Sequence, residues 1–119
     1  MKLEHELYTI VEKADNSVRI RLRPESEIFK AHFPDNSVTP GVCQVGIVEE
    51  LAEKICGFKL FLKEVKLLKY TDILHPSKEE VEVRFDKLEE EEDGVMAKGL
   101  VMSEGSVFTK FSLIFGKEA

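Results

Sequence analysis

Val18, Ile20 and Leu22 alternate with Arg19, Arg21 and Arg23, the period-two pattern of a strand with one buried face. Upstream, Leu7-Tyr8-Thr9-Ile10-Val11-Glu12 is rich in β-branched and aromatic residues and predicts a partner strand. Ala14-Asp15-Asn16-Ser17 has turn chemistry, so the two strands form an N-terminal hairpin. The alternation returns at Val81, Val83 and Phe85, set against Glu82, Arg84 and Asp86. The segments 58–70, 95–102 and 107–115 also predict strands, the last two joined by Ser103-Glu104-Gly105-Ser106. The acidic run Glu89 to Asp93, closed by Gly94, predicts a solvated turn.

The period changes once. From Thr39 to Cys56, Val45, Val48, Leu51, Ala52 and Ile55 fall on one arc of a helical wheel, with Glu49, Glu50, Glu53 and Lys54 largely opposite. Thr39 is placed as the N-cap, Pro40 as the first helical residue and Gly57 as the stop. Residues 24–39 show no clean period and predict an irregular loop. The order is strand, strand, helix, then about four strands. It predicts an α+β domain in which one long helix packs on an antiparallel sheet of about five to six strands wrapped around it. One helix cannot cover both faces of such a sheet. The uncovered face or an edge strand therefore invites association, with Phe108 and Ile114 adding apolar residues to the second face of the last strand.

Composition narrows this picture. A length of 119 residues predicts one domain over 1–119, with room for a core. Lys and Arg total 17 against 23 Asp and Glu, a net charge of −6, which argues against a general nucleic-acid binder. In a helix, Cys43 and Cys56 stand about 20 Å apart, beyond the reach of a disulfide. Free thiols fit a reducing cytoplasm. The opening Met1-Lys2-Leu3-Glu4-His5-Glu6 carries acids where a secretory leader needs an apolar run. The longest uncharged stretch, Asn36 to Val48, is too short to span a bilayer. These features predict a cytoplasmic chain with no membrane segment. His5, His32 and His75 are scattered and the cysteines are distant from them, so no metal-ligand spacing is present.

Chemistry concentrates in His32-Phe33-Pro34-Asp35-Asn36-Ser37-Val38-Thr39-Pro40-Gly41-Val42-Cys43-Gln44. The pattern His-Phe-Pro, three residues, Val, one residue, Pro-Gly-Val, one residue, Gln resembles the signature of the bacterial 3-hydroxyacyl-acyl-carrier-protein dehydratases, which have the hot-dog fold. Lys66 to Pro76 is similar to that family's third-strand motif, and the element order matches along nearly the whole chain. The resemblance implies a hot-dog domain and a hydro-lyase acting on acyl thioesters of a carrier protein or of coenzyme A. It also implies a homodimer or higher oligomer, no cofactor, and a place in fatty-acid metabolism. His32 matches the family's catalytic histidine, and its ordinary pKa of about 6.5 suits proton abstraction near neutral pH. The backbone N–H groups of Gly41 and Val42, at the positive end of the helix, could hold the thioester carbonyl. Phe33, Pro40, Gly41, Val42 and Gly46 are the expected substrate-binding residues, with Gly41 letting the acyl chain approach the backbone.

One position departs from the family. An Asp or Glu is expected fourteen residues after the histidine, and Gly46 stands there. Gly46 either allows close helix packing or marks an acid that has been lost or relocated. Glu49 and Glu50 lie about one helical turn further on; either could serve, both could be a solvated face, or His32 and water could act alone. Glu49 is carried as the tentative second catalytic residue. Two alternatives stay open: a non-catalytic acyl-binding or partner subunit, and a thioesterase using Glu49 and water. Gln44 is expected to tie the helix to a loop. Cys43 is expected either as a small packed residue or as a thiol of lowered pKa. Arg19, Arg21, Arg23, Lys30, Lys59, Lys63, Lys66 and Lys69 make the first 70 residues basic. That patch either steers an acidic carrier protein or is ordinary strand surface.

Overall fold

The computed structural model describes residues 2–27, 39, 41–75 and 80–118. The alternating hairpin forms as predicted: β1 (Tyr8–Lys13) pairs antiparallel with β2 (Ser17–Leu22), where Val18, Ile20 and Leu22 are buried between outward arginines. Helix α1 (Gly41–Cys56) follows. It ends at Gly57, whose φ of +85° takes the left-handed turn that glycine makes without strain. Four strands complete the chain: β3 (Leu60–Tyr70), β4 (Glu80–Glu90), β5 (Gly94–Ser103) and β6 (Ser106–Lys117).

All six strands form one antiparallel sheet in the order β1-β2-β4-β5-β6-β3. This is the α+β hot-dog arrangement, with α1 across one face. Ile47, Val48, Leu51 and Ala52 of the helix are buried with Val81, Val83, Phe85, Ala97, Phe111, Leu113 and Phe115 of the sheet. The rings of Phe85 and Phe111 meet edge to face at 5.9 Å.

Two expectations need adjustment. The acidic run is not all turn: β4 continues through Glu89 and Glu90, because an outward side chain on a paired strand is as well solvated as one in a loop. Phe108 and Ile114 are half-buried, and the exposed apolar surface lies on β3 instead, at Phe61, Leu62, Val65, Leu67 and Tyr70. That strand is a sheet edge, so one side of its backbone ladder is unpaired. The N-terminal segment joins the core. Leu3 and Leu7 are buried in the core, and Leu3 lies against α1.

The pairing explains why β3 shows no period in its sequence. The register with β6 shifts between Leu62 and Glu64 and again between Val65 and Leu67, leaving Lys63 and Lys66 as the extra residues of two bulges. Each bulge resets the alternation. Leu60, Leu62, Val65, Leu68 and Tyr70 thereby pair with β6 residues of the helix-facing side, although their spacing is 2, 3, 3, 2.

Candidate functional site

His32, Phe33 and Pro40 lie outside the described residues, as does Lys30. The structure places Gly41, Val42, Gly46 and Glu49 along α1, and they occupy three different surroundings.

The first is the N-terminal end of α1. Gly41 opens the helix, so the N–H groups of its first turn have no partner within the helix and lie at the positive end of its dipole. Val42 is 78% exposed there. The group set against Gly41 is Tyr70, from the end of β3. A Cβ placed on Gly41 would stand 2.1 Å from Tyr70 Oη and 2.5 Å from Cζ, so any other residue here requires the ring to shift. The close approach that glycine permits here is therefore that of a phenol ring. Among the described residues Tyr70 Oη has no hydrogen-bond partner. Burial pushes its pKa above the ordinary tyrosine value, so it is a hydrogen-bond donor at neutral pH.

A polar cluster lies beside this ring. Gln44 is buried on α1; its Nε2 donates to the carbonyl of Thr39 at 3.2 Å, and its Oε1 accepts from the hydroxyl of Thr109. Thr109 pairs with Tyr70 in the sheet. The N–H of Thr39 donates to the carbonyl of Leu74 at 2.7 Å. Gln44 thus ties the helix to its preceding loop, as expected, and also to β6. The predicted cap does not form. Thr39 Oγ1 is buried and has no hydrogen-bond partner among the described residues. Cys43 is buried, and desolvation pushes its thiol pKa up, the reverse of activation by the helix end.

The second surrounding belongs to Gly46. A Cβ there would lie 2.7 Å from Leu3 Cδ1, so this position faces the N-terminal segment. The third is an open cleft of about 620 Å³ at the far half of α1, lined by Glu49, Glu50, Glu53, Lys54, Phe58 and Lys59 among others. Most of its charge is engaged. Glu50 accepts from the N–H of Leu3 at 2.6 Å, the N–H of Glu4 at 2.9 Å and the hydroxyl of Tyr8 at 2.9 Å. Burial and the Glu50 carboxylate push the Tyr8 pKa up strongly, so this hydroxyl only donates. Glu53 accepts from the N–H of Leu60 at 2.8 Å, and Lys54 pairs with Glu4 at 2.9 Å. Glu49 has its pKa raised by burial and then by the neighbouring Glu53, against a lowering backbone hydrogen bond from Leu62. It stands eight residues beyond Gly41, about 12 Å along the helix axis. The structure does not bring it to the helix N-terminus.

The basic patch divides in the same way. Arg19 pairs with Glu12 and with Glu80 at 3.1 Å, Arg21 with Glu80 at 3.2 Å, and Arg23 with Glu25 at 3.0 Å. Lys63, Lys66 and Lys69 on the β3 edge make no ion pair among the described residues. Tyr70 and Thr109 were absent from the expected site. Tyr70 sits inside the similar third-strand stretch, which is the one sequence signal pointing to it. No group of His, Cys, Asp and Glu that could hold a metal is present among the described residues, and no helix there is long and apolar enough to cross a membrane.

Comparison with known proteins adds a family and a fold. The family model for ApeI-like proteins, described as ApeI dehydratase, matches residues 9–104. No curated protein matches the chain. Among solved structures, the dehydratase heterocomplex ApeI:P from Xenorhabdus doucetiae superposes with a TM-score of 0.63 at 16% identity, covering 95% of this chain and 99% of that one. A variant of a thioesterase from Pseudomonas aeruginosa superposes with a TM-score of 0.60 at 12% identity, covering 93% and 82%. At these identities the structural likeness establishes the hot-dog fold and no more.

Proposed function

Since the chain belongs to the ApeI-like family of dehydratases, we propose that it removes water from a 3-hydroxyacyl thioester, carried by an acyl carrier protein or coenzyme A, to give the 2-enoyl thioester. The observation that carries this reading is the first turn of α1, whose N–H groups have no partner within the helix, which follows the His-Phe-Pro…Pro-Gly motif in the chain and is flanked by a phenol with no partner among the described residues. In the proposed reaction His32 takes the α-proton, and the electron pair passes to the thioester oxygen as an enolate. That oxygen is held by the N–H groups of Gly41 and Val42. The enolate collapses, the α,β double bond forms and the β-carbon–oxygen bond breaks. His32 returns its proton to the departing hydroxide as water. With Gly46 in place of a carboxylate, a single histidine serves both directions of proton transfer. Phe33 and Pro40 are assigned to the acyl thioester on the resemblance alone.

The test is turnover of a purified 3-hydroxyacyl carrier thioester, followed by enoyl-thioester absorbance. His32→Ala should abolish it, and wild-type activity no greater than that of His32→Ala would end the reading. A second reading, thioester hydrolysis, is favoured by Glu49, whose raised pKa in an open cleft suits a general base. Hydrolysis that is unchanged in Glu49→Gln would remove it.

We also propose that the protein works as a dimer through the β3 edge, where an unpaired ladder, the exposed side chains of Phe61, Leu62, Val65 and Leu67, and three lysines without an ion pair among the described residues coincide. The ApeI:P structure shows a relative of the same fold in a complex of two different chains. Sedimentation should give a dimer for the wild type and a monomer for Val65→Asp. A monomeric wild type leaves the edge to a different partner chain, such as one that co-purifies with it.

A further inference from the structure

We propose that Tyr70 completes the carbonyl site: its phenol donates a hydrogen bond to the thioester oxygen, beside the backbone N–H groups of Gly41 and Val42. This rests on the dehydratase reading of the same helix end and names a donor that reading lacks. Tyr70 is held in place by the ladder, paired with Thr109 at the end of β3. Its ring lies against Gly41, where a Cβ would stand 2.1 Å from the phenol oxygen unless the ring moved. Its hydroxyl has no partner among the described residues, while the polar atoms immediately behind it are joined through Thr109, Gln44 and the Thr39 carbonyl. A second hydroxyl, that of Thr39, is enclosed at the same helix end, also without a partner.

The alternatives for this role are accounted for. Gly46 has no side chain and faces Leu3. Glu50 is bound by three donors, and Glu49 lies in the far cleft. A phenol of raised pKa is a poor proton donor to a leaving hydroxide but a good neutral donor to an enolate. The step is therefore a hydrogen bond that strengthens as charge moves onto oxygen, and no proton leaves Tyr70. With a half-exposed ring, Tyr70 sits where a thioester entering from solvent would meet the helix end.

The experiment uses Tyr70→Phe, which keeps the ring on Gly41 and removes only the hydroxyl. Turnover of the 3-hydroxyacyl thioester should fall about 100-fold in kcat with KM little changed. In parallel, butyryl-pantetheine labelled with carbon-13 at its carbonyl, which cannot be dehydrated, is bound to both proteins. Its infrared carbonyl stretch should lie at lower frequency in the wild type than in Tyr70→Phe. Equal frequencies overturn the inference, even if turnover falls, because the phenol would then act through packing alone. Failure of the wild type to bind the probe also overturns it. A Tyr70-dependent shift without turnover of the hydroxyacyl substrate sustains the inference and removes the dehydratase reading.

Discussion

The two ends of α1 are chemical opposites. The far half carries Glu49, Glu50 and Glu53 within a cleft, where charge is dense and Glu50 and Glu53 are held by backbone donors. The near end, at Gly41, offers neutral donors: the N–H groups of the first turn, which have no partner within the helix, and the hydroxyls of Tyr70 and Thr39. A search for chemistry guided by titratable residues goes to the far end, away from the proposed carbonyl site. Carboxylates that accept several backbone donors are doing the work of loop anchors. A site that must stabilise developing negative charge is better made of donors with no nearby anion.

The sharpest way to break this contrast is at Glu50. Glu50→Ala should lower stability by about 3 kcal/mol, because the N–H groups of Leu3 and Glu4 and the buried Tyr8 hydroxyl all lose their acceptor. Urea unfolding reads this directly. Carbonyl binding at Gly41 should persist in the folded fraction, and its loss would mean the two ends are not separate. Next in size is Gly46→Glu, which restores the family's acid. Its side chain enters the space of Leu3 Cδ1, so it should cost about 2 kcal/mol by overpacking and by burying a carboxylate. Leu3→Ala in the same chain should recover part of that loss. Only the double variant offers room to test whether a restored acid raises the dehydration rate.

A smaller effect is expected at Gln44→Ala, about 1 kcal/mol in urea unfolding. It releases both the Thr39 carbonyl and the Thr109 hydroxyl and so loosens the helix start. If its kcat falls as far as that of Tyr70→Phe, the near end works through rigidity more than through the phenol.

The fold was legible where the pattern is local and regular. Val18-Ile20-Leu22 and Val81-Val83-Phe85 declare their buried faces, and the helix arc Val48-Leu51-Ala52-Ile55 declares its own. β3 was readable as a strand but not in its facing, since the bulges at Lys63 and Lys66 break the period only in the presence of β6. Glu50 looked like a solvated residue, because nothing in the helix records that residues 2–7 return to it. The proposed carbonyl site was legible at Gly41 and Val42 through the motif. Tyr70 was not, because its contact with Gly41 joins positions far apart in the chain and depends on the sheet order to exist.

The smallest effect concerns Glu49, the α1 carboxylate of the far cleft with a raised pKa. The folded chain raises the pKa of Glu49, first by burial and then through Glu53. A raised carboxyl pKa means that the folded state holds its proton to higher pH than the unfolded state does. Stability from this group is therefore fully present below the unfolded value, about 4.3, and is lost as pH rises through the folded value. Glu49→Gln removes that dependence. The variant should be slightly more stable than the wild type at neutral pH, and the difference should vanish on acidification toward pH 4, when both chains carry a neutral side chain at this position. The partial exposure of Glu49 keeps the gain small, since water screens its repulsion from Glu53. Unfolding midpoints across this pH range measure it. A variant less stable than the wild type at neutral pH would show that the hydrogen bond from Leu62 outweighs the desolvation. Glu49 would then join Glu50 and Glu53 as an anchor, leaving the far end of the helix with no free carboxylate for hydrolysis.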